Sequence, residues 1–293
     1  MSSPHRNPSL GIFYMCLYAI SQAGVWALVR YLSDDMSTET LFFFRNFLGV
    51  ATVVPLMMRD GLKLFHTKRP GMHLVRAAAA FIGGLSIFYA VGHAPLSTVV
   101  AITFSAPVFA AVWAITVGKE TFSVARIAAI LTGFGGVLIV VNPSASGTST
   151  GIAAALVAAI ATAAAFISVK ALSSTEKSAT LLGLPFLLLL PASLLLASFN
   201  WTTPSWTDLI PLVAMGFGFS AAQFFMAKAF AAADASDVLP FDFVRILVAS
   251  GMGVYFFSEQ FDLTTIAGGL VILSAAIFSA RASVKDAKAN AAR

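Results

Sequence analysis

Read from its N-terminus, the chain alternates long apolar blocks with short polar breaks. Ser33-Asp34-Asp35, Asp60-Gly61, Lys68-Arg69-Pro70-Gly71, Asn142-Pro143 and Thr203-Pro204 all stop helices. Between breaks the sequence runs solidly apolar, as in Leu181–Leu196, without the residue-by-residue alternation of a membrane barrel. A bilayer-crossing helix needs about 20 apolar residues. The pattern predicts ten of them, near 10–32, 40–58, 72–92, 95–117, 124–142, 151–172, 179–199, 208–231, 236–257 and 263–282. The loops are too short for a soluble domain, and the polar, Ala-rich tail from Lys285 reads as a fraying helix end.

Composition agrees. Hydrophobic residues make up 58% of the 293 and glycine adds 21 more, while only 11% are charged, against about 25% in a typical soluble domain. Mean hydropathy is +0.87. A water-soluble core is excluded, and an all-α polytopic membrane protein is expected. The one cysteine, Cys16, lies in the first apolar block; it forms no intramolecular disulfide, and one thiol is no metal site. That block lacks a short apolar region followed by a small-residue cleavage site, so it reads as a retained helix.

The net charge of +5 changes meaning once it is divided by loop. With the N-terminus inside, the cytoplasmic set is Arg6, Arg59, Lys63, Lys68, Arg69, Arg76, Lys119, Arg126, Lys170, Lys177, Lys228, Arg281, Lys285, Lys288 and Arg293. Only Arg30 falls outside, and Arg45 and Arg245 fall within spans. Positive charge marks the cytoplasmic side. Both termini are therefore expected in the cytoplasm, and the charge calls for no nucleic-acid partner.

The chain also resembles itself. Gly11–Ser33 and Gly151–Ser173 share eight of 23 positions, with Arg30 opposite Lys170. Ser97–Leu131 aligns with Ser236–Leu270, pairing Phe104 with Phe243, Glu120 with Glu259, Phe122 with Phe261 and Ile127-Ala128 with Ile266-Ala267. Five spans separate Gly11 from Gly151, so the second half enters the membrane from the opposite side. We expect repeats at 1–142 and 150–293, joined by an outer linker at 143–149. Inverted repeats of this kind place a substrate site near the midplane and let the two halves exchange access.

Several short stretches carry a family likeness: Ala94-Pro95-Leu96-Ser97, Ser105-Ala106-Pro107-Val108, Gly118-Lys119-Glu120-Thr121-Phe122-Ser123 and Gly133-Phe134-Gly135-Gly136. Together they resemble the EamA domain of the drug/metabolite transporter superfamily. Arg45 matches the arginine often found opening that family's second span, and Ser258-Glu259-Gln260-Phe261 repeats the pattern. The second half departs from it, with Ile246 where the first half has Pro107 and with Pro240 arriving earlier. Among members the chain looks most like the YddG-type amino-acid exporters. The resemblance implies two inverted five-helix bundles around a central cavity, a bacterial inner membrane, and export of aromatic and other neutral amino acids.

Ionisable groups at membrane depth are costly and face an interior or a cavity. Asp242 and Arg245 lie three apart on one face of span nine. They read either as a self-neutralised pair that docks helices or as partners for a zwitterion, Arg245 for the carboxylate and Asp242 for the ammonium. Arg45 is expected to snorkel toward Glu39 or the outer headgroups, and Asn46 to hydrogen-bond a neighbouring helix. Gln22 and Trp26, with Tyr18 one turn earlier, make a polar-aromatic stripe. With Ser86 and Tyr89 in span three and Gln223 in span eight they suggest a pocket for a planar, amphipathic solute. Pro107 and Pro240 sit in the repeat-mate spans four and nine, as paired hinges or as passive kinks. The glycines at 133, 135, 136, 268 and 269 allow close helix packing.

A membrane-embedded enzyme would need a nucleophile–base pair or a metal cluster in the spans. His5, His66 and His73 fall in the tail or beside a basic loop, His93 stands alone at a turn, and no catalytic motif occurs. No cofactor or metal is expected; the partners are a small solute and the bilayer, with a monomer or weak homodimer as the assembly. The rival substrate class is a drug, S-adenosylmethionine or a nucleotide-like solute. A proton-coupled drug exporter of this superfamily commonly carries a glutamate in its first span, and Leu10–Leu32 has no acidic residue.

Overall fold

A computed structural model of the chain describes residues 8–61, 67, 69–106, 109–110, 112–113, 128, 131–133, 135–136, 138–139, 149–173, 176, 178–232, 241–242, 244–260 and 263–291. Among them every regular element is helical. In chain order the helices are α1 (Pro8–Leu32), α2 (Thr38–Asp60), α3 (Pro70–His93), α4 (Leu96–Thr103), α5 (Ser149–Ser173), α6 (Ser178–Phe199), α7 (Leu209–Ala232), α8 (Val244–Phe257) and α9 (Leu263–Ala291).

Among the described residues, three segments are long and apolar enough to cross a membrane: Ser9–Leu32, Pro70–His93 and Leu209–Met226. Shorter apolar helices cover Thr150–Ala165, Gly183–Phe199, Val244–Phe257 and Leu263–Ala275. Large apolar side chains such as Phe199, Ile210, Leu138 and Tyr255 are exposed, whereas Thr40, Asn46, Ser105, Ser193 and Thr265 are buried. Water would drive the opposite sorting; a hydrocarbon solvent accepts apolar side chains and leaves polar groups to find partners inside.

The chain forms two compact units, and each draws on both halves of the sequence. One contains Met1–Ala23, Pro95–Gly147 and Ala221–Arg293; the other contains Gly24–Ala94 and Thr148–Ser220. Helix α1 contributes to both.

In the Gly24–Ser220 unit, α3 packs along α5 and α2 along α6. Small residues set the α3–α5 approach: a Cβ on Gly83 would stand 3.2 Å from the Ala161 Cβ, and small side chains let membrane helices come close enough for dispersion to hold them. Helix α2 starts on a polar clasp. Ser37 Oγ accepts from Thr40 N–H (3.3 Å) and donates to the Asn200 carbonyl (2.6 Å). The Ser37 N–H donates to Thr202 Oγ1 (3.2 Å), and the Thr202 N–H to Thr40 Oγ1 (3.1 Å). Donors that a helix start leaves unused are thereby satisfied.

The other unit is centred on α4, which is buried and packs against α8 and α9. Span four was expected over 95–117, kinked at Pro107. The regular helix instead stops at Thr103, and a turn carries Phe104 and Ser105. Proline at 107 has no N–H for the Thr103 carbonyl, so the ladder loses a rung there. Pro107 and Pro240 themselves lie outside the described residues, so the hinge assignment stays an expectation. At its start, α4 is capped from a distance: the Leu96 N–H donates to the Glu259 carboxylate, 3.0 and 3.1 Å from its two oxygens. Glu259 is brought there by the end of α8. Ser258 takes a left-handed φ of 53°, and the Glu259 N–H turns back to the Gly253 carbonyl at 3.0 Å. A Cβ at position 253 would collide with the Glu259 carboxylate, so this close approach requires glycine.

Candidate functional site

Span nine was expected to be helical from 236. Residues 236–240 and 243 lie outside the described residues; the described helix α8 covers Val244–Phe257, with Phe241 and Asp242 described before it. Asp242 precedes the described part of this helix, and Arg245 lies at its start. Arg245 Nη2 donates to Asp242 Oδ2 at 2.8 Å. The guanidinium sits over the Phe104 ring, 4.8 Å from its centre. Arg245 is buried, 8% exposed. Asp242 Oδ1 is buried without a hydrogen bond among the described residues.

The same unit supplies the start of α1. Tyr18 is half-buried on it. Met15 packs against Ala229 of α7, with Tyr14 and Tyr18 alongside, and the Tyr14 ring stacks near Phe225 at 6.4 Å. One turn beyond Tyr18, Gln22 is buried and its Oε1 makes no hydrogen bond among the described residues. Ser250, farther along α8, also has a buried hydroxyl without a described partner. Gln223 is half-buried on α7 and makes no hydrogen bond with the described residues.

The remaining expected site residues belong to the other unit. Trp26 is buried. Ser86 and Tyr89 are half-buried on α3. The Tyr89 ring stacks on His93 at 4.0 Å with 12° between planes, and its hydroxyl reaches Thr150 Oγ1 at 3.5 Å. The structure therefore brings Asp242 and Arg245 together with Phe104. Gln22 and Trp26 lie one turn apart on α1, where the chain passes from one unit to the other.

Two residues behave differently from their expected places. Arg45 does not snorkel. It is 8% exposed and turned inward, because aromatic rings and the neighbouring amide receive its guanidinium: Phe42, Phe219 and Phe88 lie 4.6, 4.7 and 5.6 Å away. Asn46, expected to bond another helix, bonds Arg45 on its own helix. His73, assigned to the edge of a basic loop, is buried on α3 with Nε2 4.0 Å from Glu176 Oε1, and Glu176 in turn accepts from the Thr67 hydroxyl at 2.6 Å. The run Phe42-Phe43-Phe44-Arg45-Asn46 held a signal for the first case: aromatics one turn from a cation can enclose it. Nothing in the local sequence sets His73 apart from its basic neighbours Arg69 and Arg76.

Comparison with known proteins gives these sites their setting. The model of the EamA-like transporter family matches residues 9–142 and again 149–281. An S-adenosylmethionine uptake transporter of Rickettsia felis is 27% identical over 268 residues, 92% of this chain and 91% of that protein. A riboflavin transporter of Vibrio cholerae is 30% identical over 251 residues, 84% of each chain. The pseudopaline exporter CntI of Pseudomonas aeruginosa is 27% identical over 279 residues, 92% and 96% of the two chains. A crystal structure with 14% sequence identity shares the fold, with a TM-score of 0.63 over 92% of this chain and 96% of its own. The chain belongs to the EamA-like transporter family, with its two-repeat helical fold, and is a multi-pass membrane transporter of small molecules, not an enzyme.

Proposed function

We propose that this transporter carries solutes with an α-amino-acid headgroup, recognised at the Asp242–Arg245 pair. The observation that carries the reading is the buried Asp242 Oδ1, which has no hydrogen bond among the described residues although Arg245 stands beside it. An ammonium fits that oxygen, and a carboxylate fits the guanidinium, whose planar fork suits it. A pair that only docked helices would be expected to have both carboxylate oxygens hydrogen-bonded. Phe104 flanks the pair with ring surface, and Gln22 offers an amide oxygen on α1 in the same unit.

Neutral and aromatic amino acids carry this headgroup, and so does S-adenosylmethionine, the solute named for relatives that align over nine-tenths of the chain. Riboflavin does not. We read the two sequence halves as inverted repeats that exchange access, with both termini in the cytoplasm, as the placement of the basic residues supports. Export is the direction implied by the resemblance to amino-acid exporters.

Purified protein in liposomes tests the assignment. Radiolabelled phenylalanine, methionine, S-adenosylmethionine and riboflavin are followed in counterflow with wild type and Asp242→Asn. Amino-acid or S-adenosylmethionine flux that falls roughly tenfold or more in the variant is expected. Riboflavin flux alone, or flux that Asp242→Asn leaves untouched, would overturn the reading.

A further inference from the structure

The unit that lacks the Asp242–Arg245 pair has a charged centre of its own. Arg45 lies seven residues into α2, about 10 Å along the helix from Thr38. It is as deeply buried as Arg245, yet no carboxylate pairs with it among the described residues. A lone buried cation is expensive unless something completes it.

The surroundings show which part of the guanidinium is taken. Asn46 Oδ1 accepts from Nε at 3.2 Å and from Nη2 at 2.6 Å, which occupies the side edge of the fork. The Phe42 and Phe219 rings take up the cation's π-attraction. These rings are themselves held. Phe42 meets Phe81 and Phe88 edge to face at 5.3 and 6.0 Å, and Phe219 meets Phe186 at 6.1 Å. The end edge is left: Nη1 with both its protons, and the second proton of Nη2. Residue 84 is glycine, which lets α3 come close to Nη1. A Cβ on Gly84 would stand 3.0 Å from Nη1 and would collide with the Phe42 ring. Two parallel donors with no acceptor among the described residues match two oxygens of one anionic group.

We propose that Arg45 binds a carboxylate or phosphate group of a small solute, end-on through Nη1 and Nη2, in a cage formed by Phe42, Phe88, Phe219 and Asn46. This is a second ligand-binding centre, in a different unit from the Asp242–Arg245 pair. It selects for negative charge without a matching ammonium site.

The test is binding rather than flux, so its outcome is independent of the transport reading. Purified full-length protein in detergent is melted with 3-phenylpropionate, phenyl phosphate or phenethylamine as probes. Saturable stabilisation by either anion and none by the amine is expected; which anion acts distinguishes carboxylate from phosphate. Arg45→Met should abolish the effect. Arg45→Lys keeps the charge without the fork and should weaken half-saturation roughly tenfold. The double variant Asp242→Asn with Arg245→Met should keep the full response. If Arg45→Met does not fold, Arg45→Lys decides. No anion effect in wild type, an undiminished effect in Arg45→Lys, or loss of the effect only in the double variant would each overturn the assignment.

Discussion

Arg45 and Arg245 are the same residue, equally buried, in chain segments that meet an apolar solvent. They are stabilised in opposite ways. Arg245 has a carboxylate at 2.8 Å and one ring at 4.8 Å. Arg45 has an amide oxygen and three rings within 5.6 Å, and no carboxylate among the described residues. The first arrangement is close to neutral overall and presents both signs of charge. The second retains a full positive charge softened by ring quadrupoles. A zwitterion suits one and an anion the other, so the surroundings, more than the residue type, determine what each arginine can bind.

The largest test of this contrast removes one arginine at a time. Arg245→Met strands the Asp242 carboxylate in a buried place, and orphaning one partner of a buried ion pair costs about 3–5 kcal/mol. Thermal unfolding should show a large loss, and Asp242→Asn added to it should recover most of the stability because neither charge then remains. If the double variant melts no higher than the single one, the pair is not what holds Arg245. Arg45→Met strands no charge. Its main cost is the Asn46 amide oxygen left without a donor, about 1–3 kcal/mol, offset by no longer burying a cation. We expect a net loss under about 2 kcal/mol. A loss as large as that of Arg245→Met would mean that a carboxylate completes Arg45.

The contrast was only partly visible in the sequence. The helical class and the internal repeat follow from apolar blocks and spaced identities, and the family model matches twice, at 9–142 and 149–281. The Asp242–Arg245 pair was visible too, because a spacing of three places two side chains together without help from the rest of the fold. What surrounds a residue from distant parts of the chain was not visible. Arg45 was assigned to the headgroups because periodicity gives its depth and not its neighbours: Phe88 comes from α3 and Phe219 from α7. His73 meets Glu176 across a hundred residues for the same reason. The break of α4 at Phe104 was half legible. Proline at 107 announces a lost hydrogen bond, but not that the turn would set Phe104 against Arg245.

The smallest effect should come from the rings, and it sharpens the comparison most. Replacing a cation–π ring with leucine keeps much of the apolar packing and removes the quadrupole attraction, about 0.5–2 kcal/mol depending on how dry the site is. Phe219→Leu should lie near the upper end, because ring faces are what Arg45 has in place of a carboxylate. Phe104→Leu should lie near the lower end, because Asp242 holds Arg245 in position whether the ring is there or not. Paired melting curves, each variant alone and then combined with Met at its own arginine, isolate the ring–cation coupling from the packing change. A larger coupling for Phe219–Arg45 than for Phe104–Arg245 fits an aromatic cage that substitutes for a counter-ion. Equal couplings would mean that the rings are incidental to both sites, and that Arg45 depends on a partner outside its ring cage.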